Sequence, residues 1–299
     1  NGMVEEEGLS WLKVAKEARK SNVLTVADSA LMSAKLMGVP ENLMFLEKAK
    51  LMKAKKRKFE AIQILQNFVE KETEKVESKN LEALKGTEVC LSKARMLLAE
   101  WSIAFKAKKS NEILSLLHIS EKEPGDTKLL DKTRYLLGNY YNYLLELKIR
   151  DSSERSLVRE LMYQSILFLM LSLRNGNKYL FNALPKILFM YFQYCVDGAI
   201  ELNAKTENLL NKLCQEISEF QWFSVMPQIV SRLATENRSS EQFIRKIALR
   251  VFMEYPHQMC WIFLVNTEFS VFNKRHNAKK IVLEVKDIFK EHKQKYLRL

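Results

Sequence analysis

Glycine and proline are scarce in this sequence. Its 299 residues include only eight glycines and five prolines, which leaves few sites for the tight turns that a β-sheet protein needs. Lysine, leucine, glutamate and alanine, which are all good helix formers, dominate instead. Apolar residues make up 47% and charged residues 28%, so the chain can bury a core and is not disordered. The composition predicts an all-α fold.

Cysteines are also few, and no two of them are close in the sequence. Cys90, Cys195, Cys214 and Cys260 each lie beside apolar neighbours, and none forms the C-x-x-C pair of a zinc site or redox motif. We therefore expect thiols in buried helices and a reducing compartment. His257 and Cys260 have an i,i+3 spacing, but a metal ion would need two more ligands.

Long apolar runs are missing as well. Runs such as Ile166–Leu171 are far short of the roughly 18 residues that cross a bilayer. The first residues, NGMVEEEGLSW, are acidic and lack the apolar core of a signal peptide. We expect no association with a membrane.

The sequence contains no recognisable catalytic motif. No two glycines are spaced for a phosphate-binding loop, and there is no H-R-D, D-F-G or H-E-x-x-H. We therefore expect no catalytic residue, no bound cofactor and no metal ion in these residues. Single histidines and serines can always be combined on paper, but no nucleophile elbow supports such a site.

Apolar residues recur at helical spacing along the whole chain. Trp11 and Leu43 occupy equivalent places in two successive helical patterns, about one tetratricopeptide period apart. Later helices are more apolar, and Pro185, Pro227 and Pro256 each precede an apolar run, as proline does in the first turn of a helix. The pattern predicts a continuous superhelical array of antiparallel helix pairs, an α-solenoid with tetratricopeptide-like repeats in 1–150 and HEAT-like repeats in 151–299.

Aromatic residues on these helices have a structural interpretation. Trp101, Trp222 and Trp261 lie at helical spacing within apolar faces, so we interpret them as core residues. The tyrosines at 140, 141 and 143 form either a peptide-binding platform or, as is more usual, part of the core and its rim. Gly176 follows Asn175 in a tight turn, where the glycine is free to take a positive φ.

Positive charge exceeds negative charge by 12. Most basic residues alternate with glutamates, which is typical of solvated helix faces. One stretch, KAKLMKAKKRK at Lys48–Lys58, contains no acidic residue. It predicts a possible surface for nucleic acid or an acidic partner, formed by five side chains: Lys53, Lys55, Lys56, Arg57 and Lys58.

Two motifs in the second half of the chain have a spacing that is typical of one protein family. The stretch LRNGNKYLFNALPKIL contains the first motif, at Leu173, Gly176, Asn177, Pro185, Lys186 and Leu188. VFMEYPHQMCW contains the second, at Val251, Phe252, Tyr255, Pro256, Gln258 and Trp261. Upstream, TRYLLGNYYNYLLE has paired tyrosines, Tyr140 and Tyr141. Together they resemble the FAT region of the phosphatidylinositol 3-kinase-related protein kinases, nearest to the ATR branch.

The resemblance implies a fragment of a longer serine/threonine protein kinase, with the kinase domain following this region. In that family the FAT region wraps the kinase domain, takes part in dimer and partner contacts, and relays activation. We therefore expect a non-catalytic regulatory scaffold in nuclear DNA-damage checkpoint signalling, with a cytosolic pool possible. The implied partners are the kinase domain of the same chain, a second copy and a subunit similar to the ATR-interacting protein. ATP and Mg²⁺ would bind only in the kinase domain.

Two other functions stay open at this point. A free-standing helical-repeat adaptor would bind a peptide in its concave groove. A basic helical repeat would bind nucleic acid through phosphate contacts at Lys48–Lys58.

Overall fold

The computed structural model describes residues 2–77, 87–123, 126–150, 155–196, 204–235, 237–268 and 271–296. All regular secondary structure in these ranges is helical, which confirms the all-α prediction. None of the helices in the same ranges combines the length and apolar character needed to cross a membrane. The chain forms two compact units, residues 1–136 and 137–299.

The predicted change of repeat type at residue 150 stays a prediction. Residues 151–154, where it would occur, lie outside the described part of the chain. The boundary between the two compact units falls earlier, inside the helix Thr127–Arg150.

The first unit is built from helical hairpins. Its helices are α1 (Gly2–Lys20), α2 (Leu24–Leu36), α3 (Glu41–Ala54), α4 (Lys58–Glu77), α5 (Thr87–Phe105), α6 (Ser110–Lys122) and the first half of α7 (Thr127–Arg150). Helices α1, α2, α3 and α5 are each followed, within two residues, by a residue with positive φ: Asn22 (60°), Gly38 (78°), Lys56 (62°) and Lys106 (53°). This conformation lets the following N–H groups reach back into the last turn, as when the N–H of Val23 donates to the carbonyl of Ala18 at 2.9 Å.

These turns show how a chain with so few glycines reverses direction. Three of the four residues are asparagine or lysine, which adopt the left-handed conformation at a moderate cost. Among the described residues, the glycine with a positive φ is Gly38, and Gly176 does not use this freedom.

The core of the first unit lies between α3, α4 and α5. Phe45 and Phe68 stack with ring centroids 3.4 Å apart, and Trp101 packs in the same cluster with only 2% of its surface exposed. Helices α5 and α6 are joined by buried serines, since Ser92 Oγ donates to the carbonyl of Ser120 (3.1 Å) and Ser120 Oγ to that of Ser92 (3.0 Å). Each hydroxyl is thus paired away from water.

The second unit contains shorter and more irregular helices. After the end of α7 they are α8 (Arg155–Leu171), α9 (Leu180–Met190), a π-helical turn (Tyr191–Val196), α10 (Ala204–Glu216), α11 (Glu219–Phe223), α12 (Met226–Ser231), α13 (Arg238–Glu254), α14 (Pro256–Thr267) and α15 (Phe272–Tyr296). The core includes Trp222, which is fully buried, and the contacting rings of Phe252 and Phe263.

The prediction that the prolines start helices is confirmed for two of the three. Pro227 and Pro256 lie in the first turns of α12 and α14. It is wrong for Pro185, which lies inside α9. A proline there deprives the carbonyl of Phe181 of its usual N–H donor. The Phe181 side chain is 72% exposed, so this side of the helix faces water, where the loss is least costly.

The short helices α11 and α12 are separate, with Ser224 and Val225 between them. Pro227 explains the break, because it has no N–H with which to continue the helix from α11.

Gly138 marks a very close approach between α7 and α8. A Cβ at this position would lie 2.6 Å from Leu169 Cγ and 2.8 Å from the backbone N of Leu169. The carbonyl of Gly138 also accepts a 2.8 Å hydrogen bond from Ser165 Oγ, a fully buried hydroxyl. The two backbones therefore meet where only glycine fits.

We expect Gly138→Ala to destabilise the chain by about 1–3 kcal/mol, because overpacking outweighs the helix propensity that alanine gains. Gly176→Ala is the matched control, since a Cβ there meets no atom within 4 Å. Urea denaturation followed by circular dichroism measures both. Equal stability of the two variants would contradict the close approach at Gly138.

Candidate functional site

The first family motif is held in place by the side chain of Gln221. Its Nε2 donates to the carbonyl of Leu173 (3.3 Å) and to Asn177 Oδ1 (2.8 Å). Its Oε1 accepts from the N–H and hydroxyl of Ser218, as part of the capping box that starts α11. One buried amide therefore joins the start of α11 to the segment between α8 and α9.

Two more amide side chains bind distant carbonyl groups in the same manner. Gln228 Nε2 donates to the carbonyl of Pro185 at 3.2 Å, and Asn277 Nδ2 donates to that of Leu233 at 2.8 Å. Sequence reasoning missed Gln221, Gln228 and Asn277, because their partners lie 43 to 48 residues away. Leu173 and Pro185 of the motif thus contribute carbonyl oxygens, and their positions serve packing between helices.

The tyrosines of α7 form part of the core and its rim. Tyr140 is buried, whereas Tyr143 is 48% exposed. The ring of Tyr141 stacks on Phe168 with centroids 5.9 Å apart. Burial, with a smaller contribution from the charge of Glu160, raises the pKa of Tyr141. A peptide-binding platform needs free ring faces, and the packing of Tyr140 and Tyr141 does not favour one.

The second motif lies at the start of α14. The ring of Tyr255 packs against Phe223 with centroids 5.3 Å apart, and Pro256 begins the helix. Gln258 is exposed. The interpretation of Trp261 as a core residue is wrong, because 76% of its surface is exposed. Trp101 and Trp222 are buried as predicted.

Helix α14 explains this error, since it is apolar on both sides. Met259 and Phe263, four residues apart and hence on one face, are completely buried. Three large side chains on the opposite side remain exposed: Trp261 (76%), Leu264 (50%) and Val265 (69%). Helical periodicity identifies an apolar helix but does not decide which of two apolar faces enters the core. We call these three residues and Cys260 the α14 face.

The described cysteines have contrasting environments. Cys214 is fully buried, and burial raises the pKa of its thiol to about 11. Cys260 is exposed and Cys90 is half-buried, so the expectation of uniformly buried thiols is wrong for Cys260. The side chain of Cys195 lies outside the described part of the structure.

The basic stretch makes contacts within the first unit. Lys55 forms an ion pair with Asp28 of α2, and Arg57 forms one with Glu60 at 2.7 Å. The ammonium groups of Lys53 and Lys58 lie over the ring of Phe105, 5.8 and 5.1 Å from its centroid. Lys53 also lies 4.7 Å from the centroid of Trp101. Lys56 is the exposed turn residue after α3. Binding of nucleic acid here stays a prediction.

Among the described residues, no group of three or more His, Cys, Asp or Glu side chains has the arrangement of a metal site. The site residues predicted from the family motifs are instead split between the α7–α9 region and the start of α14. What the second unit offers is an exposed apolar helix face on a well-packed helical support.

Two family models match the chain. The FAT domain matches residues 3–189, and "Serine/threonine-protein kinase ATR-like, HEAT repeats" matches residues 205–298. Together with the helical structure they confirm the α-solenoid fold class and the resemblance inferred from the motifs.

The chain is also similar to several curated kinases. It is 23% identical over 333 residues to "Serine/threonine-protein kinase ATR" of Arabidopsis thaliana, covering 94% of this chain and 12% of that protein. It is 23% identical over 283 residues to "Serine/threonine-protein kinase MEC1" of Candida albicans, covering 92% of this chain and 11% of that protein. It is 23% identical over 178 residues to "Protein kinase rad3" of Schizosaccharomyces pombe, and this match covers 52% of this chain and 7% of that protein. The chain thus spans about an eighth of the length of the first two.

We expect Gln221→Ala to lower the free energy of unfolding by about 1–3 kcal/mol, because it leaves the buried carbonyl of Leu173 without its donor. Gln221→Glu should cost more at neutral pH, since its charge would face two acceptor oxygens. Burial raises the folded-state pKa of the new carboxyl, so this extra loss should shrink as the pH falls and the carboxyl gains a proton to donate.

Gln242→Ala and Gln242→Glu are the matched controls for these variants, because Gln242 is exposed on α13. Urea titrations at neutral and mildly acidic pH measure all four variants. If Gln221→Glu lowers the free energy of unfolding by the same amount at both pH values, the proposed role of the amide donor is contradicted.

Proposed function

The chain belongs to the FAT-domain family, and from this premise we propose that it is a non-catalytic regulatory region of an ATR-like serine/threonine protein kinase. The FAT match covers residues 3–189. The ATR-like HEAT match follows at residues 205–298. In this role the helices act by packing against other domains, and no chemical step takes place on them.

The matched kinases support a role within a longer polypeptide. Their names describe serine/threonine protein kinases, and this chain corresponds to 11–12% of the first two. The kinase domain of the same polypeptide is therefore the partner that we propose. ATP and Mg²⁺ would bind in that domain, and a DNA-damage checkpoint role in the nucleus would belong to the whole protein. A homodimer and a subunit similar to the ATR-interacting protein are further proposals of this kind.

The observation that carries the proposal is the α14 face. A helix with apolar residues on all sides is stable only when both faces are covered. One side of α14 is covered by the second unit's own core, and the other exposes Trp261, Leu264 and Val265. Exposed patches of this kind mark sites of protein contact. We propose that the kinase domain covers the α14 face.

Cys260 provides a direct test, because this exposed thiol lies one helical turn from Leu264 on the same face. In the isolated 299-residue chain we expect rapid alkylation of Cys260 at neutral pH. In the full-length kinase we expect the rate to fall by about tenfold or more, since reaction requires access of the reagent to the thiol. Mass spectrometry of the alkylated peptides gives both rates.

Cys214 is the internal control for this experiment. Its burial and raised pKa predict slow alkylation in both proteins and rapid alkylation only after unfolding. A Cys260 that reacts equally fast in the isolated chain and in the full-length kinase, with Cys214 protected in both, would refute covering of the α14 face.

A second test addresses regulation. Trp261→Ala combined with Val265→Ala should lower the activity of the full-length kinase by about fivefold or more, which corresponds to a modest coupling free energy. Folding of the isolated chain should be unaffected, because both side chains are already exposed. Phe59→Ala is the control, since Phe59 is 85% exposed in the first unit. Unchanged kinase activity in the double variant would argue against the regulatory role of this face.

A further inference from the structure

The first unit contains a long groove that the proposed kinase contact does not use. It has a volume of about 920 Å³ and lies along α2, α3 and α4. This volume is near the upper limit of small-ligand pockets. The groove therefore offers room for a segment of polypeptide.

The floor of this groove is apolar and rich in methionine. Met32 of α2 is 71% exposed, whereas Met44 of α3 is 8% exposed. Met52 and Ile64 continue the lining along α3 and α4. Methionine is unbranched and polarisable, so a surface that contains it adapts to apolar side chains of different shapes. Such a floor suits the apolar face of an amphipathic helix.

The rim of the groove carries an excess of positive charge. Two of its carboxylates are neutralised within the unit, since Asp28 pairs with Lys55 and the buried Glu72 pairs with Lys75 at 2.7 Å. Among the described residues, the rim lysines that form no ion pair are Lys35, Lys48 and Lys71, and Glu41 is the remaining acidic side chain. All three of these lysines are exposed. The rim thus complements a negatively charged partner.

The apolar floor favours a peptide over a nucleic acid. Single-stranded nucleic acids bind by stacking their bases on free aromatic faces. The aromatic rings of the groove, Phe45 and Phe68, are both buried and stack on each other. They offer no open face to a base. The outer surface of a DNA duplex consists of phosphates and sugars. They would contact the apolar methionine and isoleucine side chains of the floor.

We propose that this groove binds an acidic amphipathic helical segment of a protein. Its apolar side chains would cover Met32 and the floor, and its carboxylates would face Lys35, Lys48 and Lys71. The site is complete within the first unit, so the proposal does not depend on any contact with a kinase domain. Failure of the α14 tests would leave it unchanged.

The test uses the full 299-residue chain and synthetic fluorescent peptides of about 18 residues, with Leu and Phe at i, i+3, i+4 and i+7 and Glu elsewhere. A second peptide has Lys in place of every Glu, and a third has the acidic composition in scrambled order. Fluorescence anisotropy should show binding of the acidic amphipathic peptide, at least tenfold weaker binding of the other two, and weaker binding as salt rises. A labelled DNA duplex of about 20 base pairs should bind more weakly than the acidic peptide.

Variants locate the binding site. Lys35→Glu combined with Lys71→Glu should weaken binding by about tenfold, as expected for reversal of two surface charges. Lys13→Glu combined with Lys16→Glu, on exposed lysines of α1 that do not line the groove, is the control with the same change of net charge. Met32→Asp should also weaken binding by about tenfold through the lost apolar contact, whereas Phe59→Asp, outside the groove, should not.

Three results would overturn the proposal. They are equal binding of the acidic and basic peptides, equal effects of the two lysine double variants, and preference for the DNA duplex over the acidic peptide. Circular dichroism confirms that each variant is folded, and the exposure of every substituted side chain makes unfolding an improbable cause of lost binding.

Discussion

The second unit depends on the pairing of backbone carbonyl groups that its irregular helices leave without a donor. A buried carbonyl without a partner costs as much as a lost hydrogen bond, and short helices have many such groups at their ends. Gln221 and Asn277 supply donors to the carbonyl groups of Leu173 and Leu233, which lie just past the ends of α8 and α12. Gln228 adds a donor to the carbonyl of Pro185 inside α9. Each bond also fixes one helix against another that lies more than forty residues further along the chain. The family-motif residues Leu173 and Pro185 take part as acceptors.

The two units stabilise their turns by different means. In the first unit, backbone geometry is sufficient, since residues with positive φ such as Asn22 and Lys56 close the hairpins with main-chain hydrogen bonds. In the second unit, amide side chains also donate hydrogen bonds to main-chain carbonyl groups. This difference agrees with the functions that we propose. The regular first unit forms a groove along α2, α3 and α4, whereas the second unit carries an apolar helix on a support joined by side-chain hydrogen bonds.

Much of the fold follows from the sequence, because helix formers and helical periodicity act over short distances. The all-α class, the helix starts at Pro227 and Pro256, and the buried Trp101 and Trp222 could all be predicted. Trp261 could not, since an apolar helix has two candidate faces and only tertiary contacts choose between them. The prediction that Pro185 starts a helix is wrong for a related reason. The Phe181 side chain lies on the exposed side of α9, where an interior proline is tolerated. The groove also escaped prediction, because its walls come from three helices.

The contact between Gly138 and Leu169 restricts how this region can change in evolution. In most cores a larger residue is accommodated when its neighbour becomes smaller, so that pairs of positions vary together. Here one of the atoms that a new Cβ would meet is a backbone nitrogen, which every residue type carries. No substitution at Leu169 can remove that atom, so compensation would require the two helices to move apart. We therefore expect Gly138 either to be retained or to be replaced without an accompanying change at Leu169.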